Sequence, residues 1–201
     1  SLKDAIDNSY LKKAVVKGYS NTKSLEFVRA AITEFWKNYG ENRVEDKLPK
    51  IALFASNIDE LEKELRPAVE QVLSELDIST DKILVNVGDD KITTNDDLRE
   101  FVNLDSPNSE KQFILLVNKG KEGWNCRSLF AVALHRTPKS KIFVLQATMR
   151  CLRAIGLRQE TGRVFLSEEN KVILNEELQN NFRMNIDEFT NAGDSGEKTV
   201  D

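Results

Sequence analysis

The segment Gln146-Ala147-Thr148-Met149-Arg150-Cys151-Leu152-Arg153 places one amide and two guanidinium groups within a short stretch. At ~100° per helical residue, Arg150 falls about 40° to one side of Gln146 and Arg153 about 20° to the other. All three then share a narrow stripe of one helix, with Leu145, Met149 and Leu152 on a separate apolar stripe facing the core. Guanidinium groups one turn apart suit bidentate capture of phosphate oxygens. The same stripe serves equally well for salt bridges to the acidic remainder of the chain. A second cluster, Val117-Asn118-Lys119-Gly120-Lys121-Glu122-Gly123-Trp124-Asn125, sets two glycines and two lysines behind an apolar run. Glycine lets backbone N–H groups approach a ligand closely, and lysine favours phosphate. A plain turn with exposed lysines has the same composition.

Charge placement points the same way. The chain holds 33 acidic and 29 basic residues, a net charge of −4. Between Lys111 and Arg163 there are eleven Lys or Arg but only two acids, Glu122 and Glu160, so this stretch carries +9 and the rest −13. A basic block in an acidic protein suggests an anionic partner, phosphate or nucleic acid, against a solvated face as the alternative. His135 is the single histidine, and Cys126 and Cys151 are the two cysteines. That inventory leaves little room for zinc sites, histidine-based triads or a disulfide framework, and it fits a reducing cytosol. No apolar stretch approaches the ~18 residues of a membrane span. The opening Ser1-Leu2-Lys3-Asp4 has no start Met and no signal-peptide core, and reads as a segment cut from a longer protein.

These residues need a scaffold, and 201 residues suffice for one domain with an appendage. Lys13–Tyr19 is the strand candidate near the start. Leu25, Val28, Ile32, Phe35 and Trp36 recur at helical spacing between Ser24 and Tyr39. Continuous apolar runs at Lys50–Ser56, Ile83–Val87, Phe113–Val117 and Leu129–Leu134 predict strands buried on both faces. Helices are expected between them: one capped by Asn57 and kinked at Pro67, a short one over Asp96–Leu104, and one over Lys139–Leu157. Arg163–Leu166 predicts the last strand. Glu168–Asp201 is acidic, helical around Val172–Phe182, and expected to fray after Asn191. Such alternation predicts an α/β fold with a mainly parallel sheet and helices on both faces, with ligands beyond the carboxyl ends of the strands.

The order of these segments resembles the second RecA-like domain of a superfamily 2 helicase, most closely the helicase subunit of type III restriction enzymes. Lys50–Ser56 resembles the strand that opens that domain. Glu122-Gly123-Trp124-Asn125 resembles the family's fifth motif, usually Glu-Gly-Trp-Asp. Gln146–Arg153 resembles the sixth motif, a glutamine with arginines at +4 and +7. The resemblance covers roughly residues 20–167. It implies a RecA-like, P-loop NTPase-like three-layer domain at 21–167, an interdomain connector at 1–20 and an acidic extension at 168–201. Two departures stand out: Asn125 replaces the usual Asp, and Met149 replaces the usual Gly before the first arginine.

The resemblance also implies an activity: ATP-dependent translocation on DNA. ATP and Mg²⁺ would be held mainly by an N-terminal RecA-like domain, since neither a phosphate loop nor an Asp-Glu-x-His motif occurs in this sequence. Arg150 and Arg153 would be arginine fingers, with Gln146 orienting them or the attacking water. Gly123 and Asn125 would contact the nucleotide and couple it to the DNA track. Ser56, Asn57, Asn118, Lys119 and Lys121 would touch the DNA backbone without reading sequence. A modification subunit would be a further partner, the location cytoplasmic, and no residue is assigned to a metal. The rival readings are a non-enzymatic nucleic-acid or nucleotide-binding module and a degenerate, structural helicase-like domain.

Among lesser candidates, His135 is expected to bond locally at a strand end. Trp124 is expected to pack beneath its loop rather than stack a base. Cys126 and Cys151 are expected to be small packing residues.

Overall fold

The structure is a computed structural model that describes residues 1–88, 93–117, 124–135 and 140–194. Six strands form one sheet: β1 (Lys13–Tyr19), β2 (Lys50–Ala55), β3 (Ile83–Asn86), β4 (Phe113–Val117), β5 (Leu129–Leu134) and β6 (Thr161–Ser167). Their spatial order is β1-β6-β5-β2-β4-β3, and every neighbouring pair is parallel. The continuous apolar runs follow directly, because all residues of β2, β4 and β5 are buried.

Side chains of each strand alternate between two cores. Ile51, Leu53, Ala55, Phe113, Leu115, Ala131 and Ala133 face α2 (Leu25–Asn38) and α4 (Arg66–Glu75). Ala52, Phe54, Ile114, Leu116, Val132 and Leu134 face the other side. There they meet α1 (Leu2–Asp7), α5 (Asn95–Val102), α6 (Lys141–Arg150), α7 (Glu168–Phe182) and α8 (Ile186–Asn191). Helix starts follow capping chemistry. Ser24, Asn57, Thr94 and Ser167 each accept a hydrogen bond from the backbone N–H three residues on.

Three segments differ from expectation. Pro67 does not kink a single helix. Instead, α3 (Ile58–Glu60) leads into a π-helical stretch, Leu61–Leu65, and then into α4. The Arg66 N–H bonds the Leu61 carbonyl, a wider turn placed just before the residue that has no N–H to give.

The expected long helix over Lys139–Leu157 is α6 alone, ending at Arg150. It stops because the chain leading into β1 captures the next carbonyls. Lys12 N donates to Leu152 O at 2.6 Å, and Leu11 bridges Arg153 in antiparallel fashion. Arg153 therefore lies past the helix, and the three-residue stripe breaks after Arg150.

Residues 1–20, expected as a connector, supply α1 and the edge strand β1, which pairs with β6 along its whole length. The extension after Ser167 likewise packs on the sheet: Leu174, Leu178 and Phe189 are fully buried.

Candidate functional site

In a parallel sheet every strand starts on one edge and ends on the other, so β5 and α6 run between the same two edges in opposite directions. The carboxyl-terminal end of α6 is thereby carried to the amino edge. Gln146 is exposed on α6, and Arg150 is half-buried with its guanidinium 5.9 Å from the centre of the Phe143 ring, within cation–π range. Met149 packs against the core. Arg153 is exposed, and among the described residues its side chain makes no ion pair or hydrogen bond. Salt bridging to the acidic remainder thus does not account for Arg153. It does account for Arg163, which reaches Glu34 at 3.3 Å, and for Lys111, 3.6 Å from Glu100.

What fixes Arg153 is a residue with no evident signal in the sequence. Lys12 is 1% exposed. Its Nζ donates to the carbonyl oxygens of Arg127 at 3.0 Å, Leu129 at 3.0 Å and Arg153 at 2.5 Å. It also lies 4.5 Å from the centre of the Phe130 ring. An ammonium has three donors, and all three are used. The turn after Asn125 is held from its other side by Asp105. One Asp105 oxygen accepts from the Arg127 N–H at 2.9 Å, and the other accepts from the Ser128 N–H at 2.9 Å and the Ser128 hydroxyl at 2.7 Å. Trp124 stacks on Phe101, ring centres 5.0 Å apart, which is the packing role expected of it. Asn125 is exposed next to this turn. The structure thus brings Arg153 and the Asn125–Arg127 turn together on the amino edge. Arg127 is exposed there and makes no side-chain ion pair among the described residues.

The electrostatics follow from burial. Desolvation lowers the Lys12 pKa to about 8, against the pull of the Asp105 and Glu160 carboxylates. Lys50 is fully buried at the head of β2, with its Nζ on the Leu48 carbonyl, and desolvation lowers it to about 8 as well. Burial alone would raise the Asp105 pKa, but the hydrogen bonds from Arg127 and Ser128 prevail and hold it below 3.8. Burial pushes both free thiols, Cys126 and Cys151, up to about 12, so each is a packing residue.

The carboxyl edge holds a different set. Ser56 follows β2, and Asn57 caps α3 by accepting the Glu60 N–H at 2.8 Å. The Ser56 N–H donates to the Glu60 carboxylate at 2.5 Å. The other Glu60 oxygen lies 3.0 Å from His135 Nδ1, and both side chains are buried. The Thr22 hydroxyl donates to the His135 carbonyl at 2.9 Å. His135 therefore bonds across the fold, to a carboxylate 75 positions away, and not locally. A strand of six residues spans about 20 Å, so Ser56 and Asn57 stand well apart from Arg153 and Asn125. Gly123, Asn118, Lys119 and Lys121 lie outside the described residues. Among the described residues no group of three His, Cys, Asp or Glu side chains could hold a metal ion, and no helix is long and apolar enough to cross a membrane.

No family model and no curated protein matches the sequence. Solved structures do match. Mss116p DEAD-box helicase domain 2, bound to an RNA duplex, aligns with a TM-score of 0.57 and 17% identity over 86% of this chain and 60% of that one. S. cerevisiae Dbp5, bound to RNA and ADP BeF3, aligns at 0.54 and 10% over 90% of this chain and 41% of that one. The ATP-dependent Type ISP restriction-modification enzyme LlaBIII, bound to DNA, aligns at 0.53 and 18% over 83% of this chain and 12% of that one. The fold is the RecA-like α/β fold seen in these helicase domains. At these identities the likeness is one of fold, and this RecA-like chain spans 60% or less of each of those chains.

Proposed function

We propose that this chain is the C-terminal motor domain of an ATP-dependent helicase or translocase of the restriction type, acting on DNA. The helicase-like fold supports a motor domain. The restriction-type reading draws support from Glu122-Gly123-Trp124-Asn125 and from the likeness to LlaBIII. ATP, bound between this domain and a preceding RecA-like domain that holds Mg²⁺, supplies the phosphoryl group whose transfer drives movement. The residues here suit that anion. Arg153 and Arg150 offer guanidinium groups to developing phosphoryl charge, Gln146 orients them or the attacking water, and Asn125 with Gly123 offers contacts to the sugar. The opposite edge, with Ser56 and Asn57, carries the DNA backbone, and Asn118, Lys119 and Lys121, which lie outside the described residues, are assigned to the same backbone contact from their sequence.

The observation that carries this reading is Arg153: an exposed guanidinium without an acidic partner among the described residues, its backbone anchored by a buried ammonium beside the turn that follows Asn125. The test uses the full-length protein. Arg150→Ala and Arg153→Ala should each lower nucleic-acid-stimulated ATP hydrolysis by about 10³-fold or more with the melting temperature unchanged. Folded variants with full activity would remove both arginines from the chemistry and favour a structural, non-hydrolysing domain. Early melting of both would make them fold determinants.

A further inference from the structure

Arg127 belongs to the basic block, yet nothing in its sequence context distinguishes it from a solvated arginine. The structure gives it a partner. Its carbonyl and that of Arg153 are bound by the same nitrogen, Lys12 Nζ, at 3.0 and 2.5 Å. The two backbones are therefore separated by a single ammonium group. Each arginine is exposed, and neither side chain has an ion-pair partner among the described residues. Arg127 is held a second time through its N–H, by Asp105. Arg153 is held a second time through the antiparallel bridge to Leu11. Both peptide units are thus fixed from two sides, and the flexible guanidinium stems extend from a rigid base. With their backbones this close, both exposed guanidinium groups can reach one shared anion, and their mutual repulsion on doing so is relieved only when that anion is present.

We propose that Arg127 and Arg153 form a two-arginine clamp for the phosphate chain of a nucleotide, with Lys12 as the positioning residue that sets their spacing. This rests on the nucleotide reading given above and adds Arg127 and Lys12 to it. Lys12 does not touch the ligand. It acts through the two carbonyls, so a neutral side chain with fewer donors leaves the clamp loose while the arginines remain present.

The probe is inorganic triphosphate, titrated calorimetrically into this 201-residue chain at low salt, with folding of each variant checked by circular dichroism. Arg127→Ala and Arg153→Ala should each weaken binding about tenfold, the loss expected for one charged hydrogen-bonding partner. The double variant should weaken it by clearly less than the product of the two, because both arginines serve one anion. Lys12→Met should weaken binding and make the two arginine losses independent; Lys12→Gln, which keeps two donors, should fall between. Fully independent arginine losses in the wild-type background would overturn the clamp even if neither Lys12 variant folds. Unchanged affinity in a folded Lys12→Met protein would overturn the positioning role. A single-stranded oligonucleotide serves as the second ligand. Loss of its binding on Arg127→Ala, with triphosphate affinity intact, would assign Arg127 to nucleic-acid phosphate and refute the clamp. Weaker triphosphate binding for Arg153→Ala with no change for Arg127→Ala would sink this inference and leave the arginine-finger reading standing. No effect from either would sink both.

Discussion

Two buried lysines and two buried thiols give this domain an unusual stability profile in mild alkali. Lys12 and Lys50 fall from 10.5 to about 8 in the folded chain because burial disfavours the ammonium. Between those values the unfolded chain binds two more protons than the folded one, so stability must rise with pH. The penalty for carrying the two charges is full below about pH 8 and is relieved on the way to 10.5. Cys126 and Cys151 act oppositely, since burial raises them from 9.0 to about 12. From about pH 9 the unfolded thiols ionise while the folded ones keep their protons, and stability is drawn down. At ~1.4 kcal/mol per pH unit for each fully titrating group, the lysines dominate first. The net rise from pH 8 to 9 should be about 1–2 kcal/mol, followed by a near-level stretch to about pH 10 and then a fall. Tyr39, also raised by burial, steepens that fall. Urea unfolding under reducing conditions at half-unit pH steps measures this directly. Lys12→Met should remove most of the net rise, because the gain of about 1 kcal/mol from the one remaining lysine is largely offset by the two thiols. A curve that is flat or declining between pH 8 and 9 would mean that the buried lysines are far better solvated than their burial indicates and titrate close to 10.5 in the folded chain as well.

Five further outcomes are expected. Gly162→Ala should destabilise the domain by about 1–3 kcal/mol, because its Cβ would meet the Cys151 carbonyl and Leu152 Cδ2, each at 2.8 Å. Gly156→Ala meets only the end of the exposed Glu45 side chain and should be nearly neutral in the same urea assay. Neither cysteine should react with a thiol reagent at pH 8 until denaturant is added, and both should react then, as followed by absorbance. Glu60→Ala removes the acceptor of the Ser56 N–H and the partner of His135, at about 1–3 kcal/mol for each buried group left unsatisfied; Glu60→Gln should recover part of the loss in a melting experiment. Amide exchange in β5 should be among the slowest in the domain, and saturating oligonucleotide should leave it unchanged.

Strands β2, β3, β4 and β5 were legible because apolar runs buried on both faces are hard to mistake, whereas β1 and β6 are partly exposed and offered only shorter, mixed segments. Ile51–Ala55 and Phe113–Val117 contain no polar residue, and the parallel sheet they imply is the one present. The end of α6 was not legible. The apolar pattern continues through Leu152 to Leu157, and only a strand lead-in 140 residues earlier in the chain terminates the helix. Lys12 was equally opaque. Beside Lys13 it reads as one of two surface lysines; its burial is decided by three carbonyls from two distant segments, Arg127 and Leu129 in one and Arg153 in the other. Nothing in the local sequence sets Glu60 apart, and its pairing with His135 is visible only after β2 and β5 are set side by side. Arg150 and Gln146 could be placed from local spacing. Arg153 could not, because its position depends on a contact distant in sequence.

The same contacts bear on how the two edges of the sheet could communicate. Strand β5 lies in the interior of the sheet, flanked by β6 and β2, with every residue buried. Its amino end is bound by Lys12 through the Leu129 carbonyl, and its carboxyl end is followed at once by His135, which is bound by Glu60. Helix α6 spans the same two edges and packs Val144, Ala147 and Thr148 into the core without exposure. A connection that transmits a signal by changing shape needs two arrangements of similar energy. A buried strand laddered on both sides and pinned at both ends by hydrogen-bonded ionisable groups has no second arrangement of comparable energy, because moving it would strand buried donors and acceptors at about 1–3 kcal/mol each. Communication between a nucleic acid held at Ser56 and Asn57 and a nucleotide held at Arg153 would therefore have to proceed by motion of this domain as one body against a partner domain. That is why exchange in β5 should be indifferent to oligonucleotide. Faster exchange there on binding would show that the strand itself yields, and the domain would then have to be described as two coupled halves.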